Sequence, residues 1–398
     1  MSETAKKKIL FLTGTRADFG KLKPLINKVS KMEQFESSIF VTGMHMMKTY
    51  GLTWKEVERS QFGEVYRYVN QNAFDSMDSV LAKTIMGLSD FVKESRPDLV
   101  VIHGDRVESL AGAIVCHLNS ILMAHIEGGE LSGTLDESMR HAVTKLSHLH
   151  FVANNEAKSR LIQLGESSEV IHMIGSPEID VMSGETRPKI SQVKEKYEIY
   201  FENYSLLLFH PVATELGDIG YQVKQIIKNV LNGGLNWLVI MPNNDQGTFD
   251  IQKGYQEFEG APNVRILPSM RFEYYLTALE HADFIMGNSS SGVRESGFYG
   301  VPCINLGTRQ AGRSKSLHII HSGFSTLELQ ESVQSALSHH RPKESLFGDG
   351  KSADKFSEIL LKQSTWATPL QKSFIDVDLG VEGPRQSVQV VSALSERL

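Results

Sequence analysis

Leu99-Val100-Val101-Ile102-His103-Gly104-Asp105-Arg106 and Ile121-Leu122-Met123-Ala124-His125-Ile126-Glu127-Gly128-Gly129-Glu130 decide how this chain folds. Each opens on an apolar run and closes on glycine and charge, the pattern of a buried parallel strand whose polar residues emerge at its carboxyl end. Residues 108–119 between them supply a helix to cover the sheet. In open α/β sheets, ligands bind at that carboxyl edge. A third polar group, Asp136-Glu137-Ser138-Met139-Arg140-His141, follows. One such acid would more often cap a helix or pair with Arg106 or Arg140. Acids at successive strand ends instead suit proton transfer at carbon or a charged transition state.

Strand and helix signals alternate outward from this stretch in both directions, so the expected class is doubly wound α/β. Residues 8–13 read as the first strand, and a helix near 20–32 carries Leu22, Leu25, Ile26 and Val29 on its inner face. Met77, Val80, Leu81, Ile85, Leu88 and Val92 mark another amphipathic helix, which Pro97 ends. Residues 149–153 and 170–174 complete this half. A second series of strands follows at 205–209, 237–241, 264–267, 283–286 and 301–306, with a clear helix at 271–281. The expected division is two Rossmann-like domains facing a cleft, 1–182 and 183–363. The remaining segment, 364–398, crosses back towards the first domain. Residues 351–362 read as a helix, and residues beyond 379 as an extension.

The chain has 398 residues, 41% hydrophobic and 22% charged, with a net charge of −6. It shows no basic face for nucleic acid and no apolar run of membrane-spanning length. The expected location is the cytoplasm. Cys116 and Cys303, the only cysteines, sit in apolar surroundings and give neither a disulfide framework nor metal-ligand spacing. An anionic ligand would need a locally positive site, which makes the arginines worth following.

In the second half, Gly287-Asn288-Ser289-Ser290-Ser291-Gly292-Val293-Arg294-Glu295 follows a strand. A small polar turn there exposes backbone N–H groups and hydroxyls to anions, and Glu295 is placed to meet ribose hydroxyls. The stretch matches neither a Walker loop nor the dinucleotide fingerprint. Phe209-His210-Pro211 ends another strand and would aim His210 at the facing acids. Gly307-Thr308-Arg309-Gln310-Ala311-Gly312-Arg313 ends a further one; its arginines, with Arg16, suit a pyrophosphate.

Together these motifs, with Thr13-Gly14-Thr15-Arg16-Ala17-Asp18, resemble the UDP-N-acetylglucosamine 2-epimerase family. The Gly128-Gly129 pair after Glu127 and the serine run at 289–291 are more similar to its hydrolysing, sialic-acid branch than to the non-hydrolysing one. The resemblance implies a glycosyltransferase-B type fold, a UDP-sugar substrate, no cofactor or metal, and a homodimer or homotetramer. It implies anti elimination of UDP, with loss of the C2 proton, and then hydration of the glycal to N-acetylmannosamine. It places Asp105, Glu127 and Asp136 in the catalytic roles, with Glu137 in support and His210 at the departing UDP. Arg16, Arg106, Arg140, His281, Ser289, Ser290, Glu295 and Arg313 fall in the substrate-binding set. The alternatives are a UDP-N,N'-diacetylbacillosamine 2-epimerase, a reversible epimerase that keeps the nucleotide attached, a glycosyltransferase, and a non-catalytic nucleotide-sugar sensor.

Overall fold

The computed structural model describes residues 6–131, 135–184, 187–242, 245–310, 316–338, 343–344 and 346–376. The extension expected beyond residue 379 lies outside them. Strands β1 (Lys7–Thr13), β2 (Phe35–Val41), β3 (Glu64–Arg67), β4 (Leu99–His103), β5 (Leu122–Ile126), β6 (Leu149–Val152) and β7 (Ile171–Met173) belong to the first half. They form a sheet in the order β3-β2-β1-β4-β5-β6-β7. In the second half, β8 (Ser205–Leu208), β9 (Trp237–Ile240), β10 (Val264–Leu267), β11 (Ile285–Gly287), β12 (Cys303–Leu306) and β13 (Ile319–Ser322) are ordered β10-β9-β8-β11-β12-β13. Every described pairing is parallel. The order reverses between β1 and β4, and again between β8 and β11. Loops leaving those strands therefore diverge and leave a crevice at the carboxyl edge.

Burial on both faces explains the apolar runs. In β1, Ile9 and Phe11 enter the core on one face of the sheet while Leu10 and Leu12 enter the core on the other. β2, β3 and β13 were not anticipated. Phe35-Glu36-Ser37-Ser38 opens β2 with polar residues, and β3 and β13 are edge strands that bury little. The first helix spans Arg16–Ser30 and begins well before residue 20. Thr15 accepts a hydrogen bond from the Asp18 N–H and Asp18 accepts one from the Thr15 N–H, a capping box that starts the helix directly after β1. At Gly287 the backbone has φ +143°, and a Cβ would lie 1.8 Å from the Leu208 carbonyl oxygen. Only glycine lets β11 approach β8 so closely.

The two halves exchange chain more deeply than the expected boundaries. Helix Pro177–Ser183 places Ile179 and Met182 in a core of the second half. In return, helix Ser352–Leu360 inserts Phe356 and Leu360 into the core of the first, so the chain is back before residue 364. Asp180 ties the two crossings together, accepting from the Ser352 and Ala353 N–H groups at 2.9 and 2.8 Å. Beyond it, Trp366 packs against Phe35, and Lys372 donates to the Ser147 carbonyl at 2.6 Å. Both cysteines are buried and free. Among the described residues, no helix is long and apolar enough to cross a membrane.

Phe356→Ala tests the returning helix. Removing a fully buried ring costs about 3–5 kcal/mol. The urea midpoint should fall accordingly, with one cooperative transition for the first half. An unchanged midpoint would show that this helix is not part of that core.

Candidate active site

A cavity of about 300 Å³ occupies the crevice, within the range of small-molecule sites. Its walls come from both halves. β1 leads into Arg16, Asp18 and Lys21; β4 into Asp105 and Arg106; β5 into Glu127; the helix Leu135–Leu146 supplies Asp136 and Arg140. Across the gap stand His210 after β8, Ser289, Ser290 and Glu295 after β11, and Arg309 after β12.

Asn288 fixes the second wall. Its side chain accepts from the His210 N–H at 2.7 Å and donates to the His210 carbonyl at 2.8 Å. Its own carbonyl accepts from Arg309 at 3.1 Å and Gln310 at 2.9 Å. Asn288 thus ties three loops together through its side chain and its backbone carbonyl, and holds the His210 backbone in place. Burial, and then the charge of Arg309, pull the His210 imidazole down to about 3, so it is neutral at pH 7.

The acids of the first wall are held differently from one another. Asp105 is hydrogen-bonded by Arg140, which also donates to the Glu127 carbonyl at 2.9 Å. Arg140 is buried and engaged with these groups, so it orders the acids from behind. Glu127 takes a left-handed backbone, φ +64°, and is gripped by Arg294 at 2.7 and 2.8 Å. Burial favours its neutral form, but Arg294, Lys21 and His103 outweigh that and hold the carboxyl well below the usual range. Asp136 is shifted the other way: burial and then the charges of Asp105 and Asp245 raise it, although Arg309 stands 3.8 Å away. Carboxylates with opposite shifts suit different roles in one reaction.

Glu295 is buried and raised to about 7, first by burial and then by Glu178. Its Oε2 is buried and accepts no hydrogen bond among the described residues. Arg16 reaches across the crevice to Ser269 at 2.7 Å and is paired with Glu56 at 2.7 Å.

Two expected residues stand elsewhere. Glu137 follows Asp136 on a helix, so its side chain is turned by about 100° and faces His141 at 3.7 Å outside the cavity. His281 caps the far end of the helix Phe272–Glu280, where its Nδ1 meets the Thr277 carbonyl at 3.0 Å. That helix turns its other end to the cavity, through Phe272 and Tyr275. Arg313 lies outside the described residues. Lys21, Asp245 and Arg294 line the cavity without having been singled out. Lys21 lies five residues beyond Arg16, on the helix whose start was placed too late. Arg294, beside Glu295, shows no partner in the sequence. Among the described residues, no group of three or more His, Cys, Asp or Glu side chains could hold a metal ion.

A family model described as UDP-N-acetylglucosamine 2-epimerase matches residues 27–361. A UDP-N-acetylglucosamine 2-epimerase of Neisseria meningitidis serogroup B is 46% identical over 377 residues, covering 94% of this chain and 100% of the relative. A hydrolysing UDP-N,N'-diacetylbacillosamine 2-epimerase of Legionella pneumophila is 33% identical, covering 89% and 95%. The crystal structure of a Neisseria meningitidis UDP-GlcNAc 2-epimerase bound to UDP-GlcNAc superimposes with a TM-score of 0.74 at 18% identity, covering 89% of this chain and 100% of that one. The shared architecture is two Rossmann-like domains of the glycosyltransferase-B type.

The buried histidines predict acid sensitivity. His45, His125 and His210 are each lowered from 6.5 to about 3, chiefly by burial. Between those values the unfolded chain binds more protons, so their stabilisation is complete above about pH 6.5 and declines towards pH 3. Glu295, raised to about 7, opposes them, as do Asp18, Asp136, Asp180 and Asp283, each raised from 3.8 chiefly by burial, but these act mainly at lower pH. The urea midpoint should therefore be lower at pH 5 than at pH 7.5. Equal midpoints would contradict neutral, buried imidazoles.

Proposed function

The chain belongs to the UDP-N-acetylglucosamine 2-epimerase family, and we propose that it is the hydrolysing kind, converting UDP-N-acetylglucosamine and water to N-acetylmannosamine and UDP in sialic acid biosynthesis. The observation that carries this reading is the facing pair of walls. Asp105, Glu127 and Asp136 stand on one side, and His210, Ser290 and Glu295 on the other. In this reading the sugar lies against the acids. UDP lies against the second wall, with Glu295 at the ribose and Ser289, Ser290 and the arginines at the pyrophosphate.

The C2 proton is weakly acidic, so departure of UDP from C1 leads and positive charge grows at C1. Glu127, held ionised, is suited to stabilise that charge. Asp136, with its raised carboxyl group, is suited to exchange the proton at C2. The C2–H electron pair becomes the C1=C2 bond as the C1–O pair leaves with UDP. His210 enters neutral and donates a hydrogen bond to the leaving diphosphate, whose negative charge favours its protonation. Water then adds to C1 of the glycal while a proton returns to C2 from the opposite face. The domains act as the two walls of this reaction, and the protein works as a cytoplasmic homo-oligomer.

The 33% identity to the Legionella relative supports a second reading, a substrate with a different C4 and C6 pattern. Product analysis with each UDP-sugar separates the two. In D2O, N-acetylmannosamine should carry deuterium at C2 and UDP should be free. Retained hydrogen would overturn the elimination. UDP-N-acetylmannosamine as the product would identify a non-hydrolysing enzyme.

Asp136→Asn keeps the size of the side chain and removes its charge. Turnover should fall by at least about 10²-fold, the scale of losing a general acid–base, while calorimetry gives UDP affinity within a few-fold of the parent. Near-normal turnover, or lost UDP binding, would remove Asp136 from the proton step.

A further inference from the structure

Arg294 is 2% exposed and lies on the floor of the cleft, where the halves meet. Its guanidinium meets Glu127 through both terminal nitrogens, Glu130 at 2.8 Å, Ser176 at 2.7 Å and, through Nε, Glu178 at 2.6 Å. The first three partners come from the half opposite to its own, and Glu178 sits on the crossing helix Pro177–Ser183. The fork is thus spent on carboxylates and a hydroxyl, and the Phe347 ring covers the guanidinium at 4.9 Å. Arg294 borders the cavity, but its terminal nitrogens are engaged by protein partners. Its reach towards the reaction runs through Glu127.

From the side of Glu127, both oxygens are committed. One meets Arg294 and the Ser176 hydroxyl; the other meets Arg294 and stands 3.0 Å from His103 Nε2. Lys21 faces it from the helix Arg16–Ser30, with its own ammonium on Glu178, and Arg140 holds the Glu127 carbonyl. Glu130 shares the same guanidinium. A carboxylate gripped in this way presents a constant negative charge at a constant place.

We propose that Arg294 is a positioning residue, which fixes the Glu127 carboxylate as a permanent, oriented anion only when the two halves are docked on each other. The inference rests on the epimerase reading above, in which Glu127 faces the charge developing at C1. It gives the acids separate roles. Glu127 is barred from carrying a proton by its partners, and the proton falls to Asp136, as in the reaction proposed above. It also links assembly of the cleft to competence, because separation of the halves would remove the counter-charge of Glu127 along with its orientation.

The test is the pH dependence of kcat with UDP-N-acetylglucosamine, alongside UDP titration and thermal unfolding of the full chain. Arg294→Gln should lower kcat on the order of 10²-fold, as expected when a reacting group is misplaced. It should also shift the acid limb of the kcat profile upwards, since Glu127 then protonates at higher pH. UDP affinity should stay within about threefold, because the terminal nitrogens of Arg294 are engaged by protein partners. Arg294→Lys retains charge without the fork, so its acid limb should stay in place while kcat falls to an intermediate value.

A loss of kcat in Arg294→Gln with an unmoved acid limb, or with a parallel loss of UDP affinity, would overturn the proposal. If the Gln variant does not fold, Arg294→Lys decides: full kcat there overturns it, and reduced kcat with the limb in place supports it. Failure of both variants to fold would make Arg294 a structural tie and also overturn it. The epimerase reading is judged separately, by wild-type product and deuterium content in the same assay.

Discussion

Two cations, the buried Arg294 and the partly exposed Lys21, face four buried glutamates, Glu127, Glu130, Glu178 and Glu295. Taking such charges from water is expensive, and the mutual attraction repays it only when geometry and hydrogen bonding are nearly complete. Here the contacts draw on both halves and on the helix that crosses between them, so the floor of the cleft exists only in the assembled molecule. The imbalance of charge leaves a mark: Glu295, which lines the cavity, is pushed up to about 7. Glu127, at the centre, is pulled the other way. One cluster thus produces both a fixed anion and an adaptable hydrogen-bonding group.

That arrangement also addresses a difficulty in the chemistry. In the proposed reaction a diphosphate and a set of carboxylates share one cavity in a chain of net charge −6. The structure keeps the carboxylates and the candidate anion-binding groups on opposite walls. The acids are backed by Arg140 and Arg294, while Arg309, the serine turn and a neutral His210 face them from the second half. His210 is kept uncharged by burial and by Arg309, yet Asn288 pins its backbone in place. Contacts within the protein itself thus hold the second wall together.

Strands β4 and β5 were legible because burial on both faces turns a parallel strand into an apolar run with a polar end. Asp105, Glu127, His210 and the serine turn were legible for the same reason, since they stand where such runs stop, whereas Asp136 opens a helix. β2 was not, because serine and glutamate interrupt its pattern. Glu137 was misplaced because adjacency in sequence is not adjacency on a helix face. Arg294 was overlooked for a deeper reason. It meets Glu127 across 167 residues, and nothing local signals a contact that needs both sheets to be complete. The crossing at Pro177–Ser183 and the return at Ser352–Leu360 are tertiary facts of the same kind.

The return of Phe356 and Leu360 to the first core also sets an order in time. A chain emerging from the ribosome presents its first half early, but that half lacks part of its interior until residue 360 is free. The fully buried apolar residues that fill the second half run only as far as Ala336, so its interior is available sooner. Domains usually complete in the order of synthesis; here the amino-terminal one is sealed last, by a helix near the carboxyl-terminal end of the chain. A polypeptide truncated before Ser352 would leave the ribosome with its first core open, exposing apolar surface to other chains.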